Sequence, residues 1–427
     1  MRSIFLVCGL LAGIACAMAP VRPTLDSIAV LYVKLALAAG VHDADYVDAY
    51  YGPAPWKAQA EAAKQPLAEV RRAVQALRGD LAAIDPAEFD AITQLRHKFL
   101  AKQLRALDTR LAIVSGQKFP FDEESRLMFD AVAPEYTAAW FDATLAELDK
   151  ALPGTGPVAA RYQAFRNQFV IPRDKLDAVF GAAIAEARAR TLQHIALPAN
   201  ESFRLEYVTN KSWSGYNWFQ GNAASLIQIN TDLPIFIDRA VDLAAHEGYP
   251  GHHVYSTLLE QKLMKGRGWM EFSINPLFGP GSVIAEGSAN YGIEVVFPGA
   301  ERLDFERKVL FPLAGLDPRR VEEYYRVLDV TRRLGFAGNE AARRYLNGEI
   351  TSAQAAAWLE RYSLMEPARA RQRVKFIEQY RSYVINYNYG QQLVANFVEA
   401  QARGDAAKRW AVFTDLISTP RLPSGLR

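Results

Sequence analysis

Cysteine is almost missing from this chain: of 427 residues only Cys8 and Cys16 carry a thiol, and both fall within residues 1–19. If that segment is removed, the rest of the protein has no disulfide, no thiolate metal ligand and no cysteine nucleophile. An excess of one charge is also missing. The 49 Lys and Arg residues against 47 Asp and Glu leave a net charge of +2, and no basic block stands out. Nucleic acid and an anionic membrane surface are therefore not indicated as partners. The arginine pairs Arg319-Arg320, Arg332-Arg333 and Arg343-Arg344 are interleaved with Glu322, Glu323, Asp329 and Glu340, the pattern of solvated helix faces. Past the N-terminus no long apolar run appears, which excludes a polytopic membrane protein. Histidine is scarce too, with six in the whole chain.

The N-terminus does hold one apolar run. Arg2 precedes residues 4–19, and Ala17-Met18-Ala19 fits the small-x-small pattern of a cleaved signal peptide. Residues 1–19 are thus expected to direct export, to the periplasm or beyond. A lipoprotein anchored through Cys16 is the alternative, although Gly13-Ile14-Ala15-Cys16 lacks the leucine usual at the start of such a box.

Helical periodicity dominates what remains, so the expected fold is mainly α: a large helical unit with a small β-ribbon beside a cleft. Residues 20–200 read as an N-terminal helical region, broken at Gly52-Pro53-Ala54-Pro55 and Asp85-Pro86 and ending in one long helix over 175–196. Residues 201–427 form the second region, integrated with the first. Here 203–208 and 225–230 alternate as two strands, and the Gly-, Asn- and aromatic-rich stretch 212–222 reads as an ordered loop. Helices are expected over 235–247, 252–265 and 283–297.

Three of the six histidines fall in the eight residues His246-Glu247-Gly248-Tyr249-Pro250-Gly251-His252-His253. Imidazole nitrogen is a preferred zinc ligand, and a His-Glu pair followed by a histidine on the next turn is the zincin arrangement, in which the glutamate activates water. The spacing here is six or seven rather than four. Pro250 forbids a regular helix through the motif, so a kink at 248–251 is expected, and either His252 or His253 is the second ligand. Glu286, in Ala285-Glu286-Gly287-Ser288-Ala289-Asn290-Tyr291, supplies a third ligand from a following apolar helix and leaves one coordination position free, as a catalytic site needs. Asp242, one turn before His246, is placed to accept a hydrogen bond from its ring, and Asn290, one turn after Glu286, to orient a neighbouring group. Glu247 is the expected general base. Tyr387, Tyr291 and Tyr216 are candidate oxyanion donors, and Asn217, Trp218 and Asn222 candidate subsite residues. His42, His97 and His194 are isolated and read as structural.

On the residues His246-Glu247-Gly248-Tyr249-Pro250-Gly251-His252-His253 and the Glu286-Gly287-Ser288-Ala289-Asn290-Tyr291 helix, with a weaker echo at Tyr387-Asn388-Tyr389-Gly390, the chain resembles the bacterial Domain of Unknown Function 885 family. It departs from that pattern at Leu334-Gly335-Phe336-Ala337, where relatives often carry a histidine. The resemblance implies a helical, gluzincin-like zinc metallopeptidase with one Zn2+ per chain, acting on a peptide or small amide. A metal-dependent amidase or esterase is the alternative chemistry, and a non-catalytic peptide-binding relative the alternative class. The retained Glu247 speaks against the latter, since binding alone needs no base.

Overall fold

The computed structural model describes residues 23–211 and 213–427. The expected signal peptide, with Cys8 and Cys16, lies outside the described residues. The chain is mainly α-helical, with five short strands among the described residues. No helix among them is long and apolar enough to cross a membrane.

Local sequence sets the helices. Leu25–Gly40 opens on a Thr24–Ser27 capping box and buries Ile28, Tyr32, Val33 and Ala36, the spacing of one helical stripe. Ala91–Val114 opens on Asp90, whose carboxylate accepts the Thr93 N–H at 2.9 Å, and buries Leu100, Leu104, Leu107 and Leu111. These stripes join one cluster of buried apolar side chains that runs through the chain from Leu25 to Leu426. The helix expected over 175–196 spans Leu176–Leu192, and the one expected over 283–297 spans Pro280–Val296, with Pro280 in its first turn.

The strands depart most from expectation. β1 (Val47–Tyr50) lies inside the region read as purely helical. β2 (Ser202–Val208) and β4 (Ala224–Asn230) are the two expected strands, but they pair in parallel rather than as a simple ribbon. Between them the stretch read as a loop contains β3 (Gly215–Gly221), so the sheet has three strands in the order β2-β4-β3. β5 (Ile274–Pro276) pairs antiparallel with β1. The turn joining β3 to β4 is Asn222-Ala223, both at positive φ, as a two-residue hairpin requires. The backbone N–H groups of Asn222 and Ala223 donate to the buried Glu260 at 2.6 and 2.9 Å. That carboxylate pins the tip of the hairpin against the chain that follows the histidine motif.

Candidate metal centre

The interruption at Pro250 is resolved by the backbone. Helix Asp238–Leu243 widens into a π-turn over Ala244–Gly248, and Tyr249 is extended at φ −121° and ψ 114°. The Tyr249–Pro250 peptide is cis, and a new helix starts at His252. The extra residues of the motif are absorbed in this bend, which brings His252 beside His246. Their Nε2 atoms lie 3.1 Å apart.

Glu286 completes a triangle. Its Oε2 is 3.5 Å from His246 Nε2 and 3.8 Å from His252 Nε2. The helix carrying it, Pro280–Val296, crosses Ile385–Ala402 with backbone touching backbone: a Cβ on Gly287 would sit 2.4 Å from the Gly390 carbonyl oxygen. Two glycines at the crossing therefore let Glu286 meet the tyrosines of the opposing segment. Tyr383 donates its hydroxyl to Glu286 Oε1 at 2.8 Å, while Oε2 is buried and has no hydrogen-bond partner.

This geometry suits a divalent cation better than a proton. Only the 3.1 Å edge between the imidazoles is within ordinary hydrogen-bond distance, and a proton there leaves Glu286 Oε2, at 3.5 and 3.8 Å, without a partner. A triangle with these sides has its equidistant centre about 2 Å from each corner, which is the Zn–N and Zn–O bond length. A buried carboxylate oxygen without a partner is costly, and a cation removes that cost. The tautomer is also set. Asn290 Nδ2 donates to the Tyr387 carbonyl at 3.0 Å, so Asn290 Oδ1 faces His246 and accepts its Nδ1–H at 3.0 Å. His246 Nε2 is thereby left as a lone pair aimed at the triangle. Burial and the neighbouring His246 push His252 down to about 4, so its imidazole is neutral at physiological pH. Burial opposes charge on His246 as well, but Glu247 and Glu286 outweigh it and hold that group above its ordinary value.

Glu247 lies beside this triangle. Its side chain is only 5% exposed, and burial together with the charge of Glu286 pushes its carboxyl up to about 7 against the pull of His246. Strand β3 passes directly over it. A Cβ on Gly215 would stand 3.0 Å from Glu247 Oε1 and 2.6 Å from Leu243 Cδ2, so a side chain there would displace Leu243 and crowd the Glu247 carboxyl.

The remaining expected site residues divide. His253 is not in the triangle: it is 0% exposed, with Nδ1 2.8 Å from Ser225 Oγ and Nε2 3.0 Å from Glu201 Oε1. Asp242 does not reach the His246 ring. It pairs with Arg302 at 2.8 Å and Arg239 at 3.4 Å, because a guanidinium is a stronger partner for a buried carboxylate than a neutral imidazole. Asn290 takes the position expected for Asp242. Tyr291 donates to Glu399 and is buried away from the cluster, and the Tyr216 hydroxyl is taken up by Asp48, so neither is free to serve an oxyanion. Asn217 faces the backbone, donating to the Glu247 carbonyl at 2.6 Å, and Asn222 belongs to the hairpin turn. Trp218 is 42% exposed and rims a cleft of about 450 Å³ between β1 and the sheet. Tyr387 packs on Tyr383 with ring centroids 5.7 Å apart. Burial, then the charge of Glu286, holds its hydroxyl far above the ordinary range.

Tyr383, Glu201 and Asp48 were not anticipated from the sequence. Tyr383 precedes Tyr387 by one helical turn, and that spacing was the available signal. Glu201 and Asp48 carry none, because their partners lie far away in the chain.

No family model matches the chain, and no curated protein matches it. Among solved structures, a candidate lipoprotein from Colwellia psychrerythraea aligns with a TM-score of 0.52 at 14% identity, covering 95% of this chain and 76% of that one. A candidate lipoprotein of unknown function from Shewanella oneidensis aligns at 0.49 and 14% identity, over 87% and 75% of the two chains. The M32 carboxypeptidase from Deinococcus radiodurans R1 aligns at 0.44 and 13%, over 92% and 88%. At such identities the first of these speaks for a shared helical fold and for nothing about chemistry. The resemblance to the Domain of Unknown Function 885 family accordingly rests on the motif residues themselves.

Proposed function

We propose that this protein is a zinc-dependent metallopeptidase that holds one zinc ion through His246, His252 and Glu286. The observation that carries this reading is the convergence of two imidazole nitrogens and an unpartnered buried carboxylate oxygen, with the Glu247 carboxylate beside them. Zinc held there supplies Lewis acidity to a carbonyl oxygen and to water. Glu247 takes a proton from the attacking water and returns it to the leaving amine. Tyr387, which stays protonated at neutral pH, donates to the developing oxyanion. Tyr383 holds Glu286 in place. A peptide is favoured as substrate because β3 is an edge strand, unpaired by any described strand on its outer side and lying over Glu247. An extended chain added there would run past the base. Export, expected from residues 1–19, belongs to the same proposal.

The test is elemental analysis of the purified protein coupled to peptide turnover with and without chelator. Glu247→Gln is expected to lower kcat by about 10²–10⁴-fold while zinc content is retained. Full turnover in that variant, or turnover indifferent to chelator, would overturn the assignment. Product analysis on matched ester, amide and peptide panels separates a peptidase from the amidase or esterase alternative.

A further inference from the structure

One carboxylate near the centre has no part in the mechanism above. Asp48, on β1, accepts the Tyr216 hydroxyl at Oδ1 and the Asn275 Nδ2–H at Oδ2, the latter at 3.1 Å. The pairing of β1 with β5, in which Ala49 faces Asn275, delivers that amide. Asp48 is half-buried, and among the described residues no lysine, arginine or histidine pairs with it, whereas the fully buried Glu271, Glu306 and Glu340 each have such a partner. Each Asp48 oxygen keeps acceptor capacity beyond its one hydrogen bond.

Its surroundings point to what is missing. Asp48 lines the cleft of about 450 Å³ together with Tyr50, Trp218, Phe219 and Gln228. The rings of Tyr216 and Trp218 are 4.5 Å apart, and the indole is the exposed one. A carboxylate beside exposed aromatic faces is the composition that receives an organic cation, through charge-assisted hydrogen bonds and ring faces together. The cleft is connected to the chemistry. Tyr216 follows Gly215, the residue whose backbone abuts Glu247. Burial first, then the charge of Glu286 and to a lesser degree that of Glu247, push the Asp48 carboxyl up to about 7 against the hydrogen bond from Asn275. A bound cation would reverse that shift.

We infer that Asp48 is a specificity-determining residue, which anchors a positively charged nitrogen of the substrate in the cleft between β1 and β3. The inference rests on the peptidase reading and narrows its substrate to peptides that carry such a cation close to the cleaved bond. Two sources share this chemistry, the free N-terminal ammonium and a lysine or arginine side chain.

The test uses the full zinc-loaded protein and three sets of short peptides: with a free amine, N-acetylated, and N-acetylated with an internal lysine or arginine. The wild type is expected to show a KM about 10–100-fold lower for one cationic set than for the neutral acetylated set, the worth of one charge-assisted hydrogen bond. The set that gains identifies the source. Asp48→Asn should erase the preference with its zinc content unchanged, and the loss should fall on KM rather than kcat. Equal KM across the three sets in the wild type overturns the inference, as does a preference that survives Asp48→Asn. Should that variant fail to fold, calorimetric binding of all three peptide sets to Glu247→Gln protein decides the point. Tighter binding of either cationic set than of the neutral acetylated set supports the anchor, and equal binding of all three overturns it. Because that readout needs no turnover, it remains decisive even where no peptide is hydrolysed and the peptidase reading itself has failed.

Discussion

Two clusters of buried polar atoms draw on adjacent residues of the histidine motif, one built around His252 and the other around its neighbour His253. In the His253 cluster every partner is found within the protein. Ser225 and Glu201 occupy the two ring nitrogens, Tyr249 donates to Glu201 Oε1, and Arg188 donates to its Oε2 at 2.9 Å. In the His252 cluster the atoms approach but do not close: Glu286 Oε2 is orphaned, and two imidazole nitrogens face each other at 3.1 Å. The two clusters draw on similar residue types, and the closed one is the deeper: the His253 and Glu201 side chains are 0% and 2% exposed, against 14%, 21% and 11% for His246, His252 and Glu286. Burial by itself therefore does not mark a functional group. What sets the His252 cluster apart is unmet polar valence on a carboxylate that converges with two imidazole nitrogens.

The strongest way to break this comparison is to remove one carboxylate charge from each side. Glu286→Gln is expected to take zinc content from roughly one per chain, the stoichiometry of a three-ligand catalytic site, to near none by elemental analysis, with the fold kept. Glu201→Gln should keep its zinc and lose about 1–3 kcal/mol of stability in urea unfolding, the cost of an imperfectly satisfied buried network. The reverse pattern would mean that the two clusters had been assigned the wrong way round. pH sharpens the contrast. Burial alone would raise the Glu201 carboxyl, yet the hydrogen bonds from His253, Tyr249 and Arg188 hold it down from 4.5 to about 2. A carboxyl depressed in the folded state adds stability that is fully present above its ordinary value and is lost as pH falls toward the folded value. The wild-type melting temperature should accordingly drop below pH 4.5, and Glu201→Gln should flatten that part of the profile.

A smaller effect separates two polar neighbours of the motif helix. Asn290→Ala removes the acceptor that fixes the His246 tautomer, and zinc affinity should fall about 10–100-fold, as for other residues that orient metal ligands. Asp242→Asn should leave zinc affinity unchanged, since Asp242 serves Arg302 rather than the imidazole. A competition titration against a chromogenic chelator reads both. A large affinity loss in Asp242→Asn alone would restore the arrangement expected from spacing.

How much of this was legible beforehand follows from distance along the chain. The histidine motif, its bend and Glu286 were readable because density of ligand types and a proline inside a helix are local signals. The choice between His252 and His253 was not, because it depends on how many residues the bend absorbs and on where Glu201 and Ser225 stand. β3 was hidden in a segment whose glycines and asparagines read as loop. It is a strand because β4 follows it across a two-residue turn and because Glu260 pins that turn. β1 was hidden for the opposite reason: its partner β5 is more than two hundred residues away. Asp242 was misplaced by one-turn spacing, a rule that says two side chains can meet but not which competitor prevails.

The smallest effects test the claim that close backbone approach positions Glu286. Two helical glycines make the comparison. Gly181, within Leu176–Leu192, has nothing within 4 Å of where a Cβ would be, whereas a Cβ on Gly287 would collide with the Gly390 carbonyl at 2.4 Å. Alanine at the first position only removes the entropic cost of a helical glycine, so Gly181→Ala should stabilise by about 0.5–1 kcal/mol. At the second position that gain is overtaken by overpacking against rigid backbone, and Gly287→Ala should destabilise by about 1–3 kcal/mol. The displacement also moves the neighbouring Glu286, so Gly287→Ala should bind zinc more weakly while Gly181→Ala should not. Urea unfolding of the zinc-free proteins isolates the packing cost, and zinc titration of the same variants isolates the positioning. If Gly287→Ala loses stability but binds zinc as the wild type does, then the crossing serves the core alone, and the metal ligands are aligned by Tyr383 and Asn290 without it.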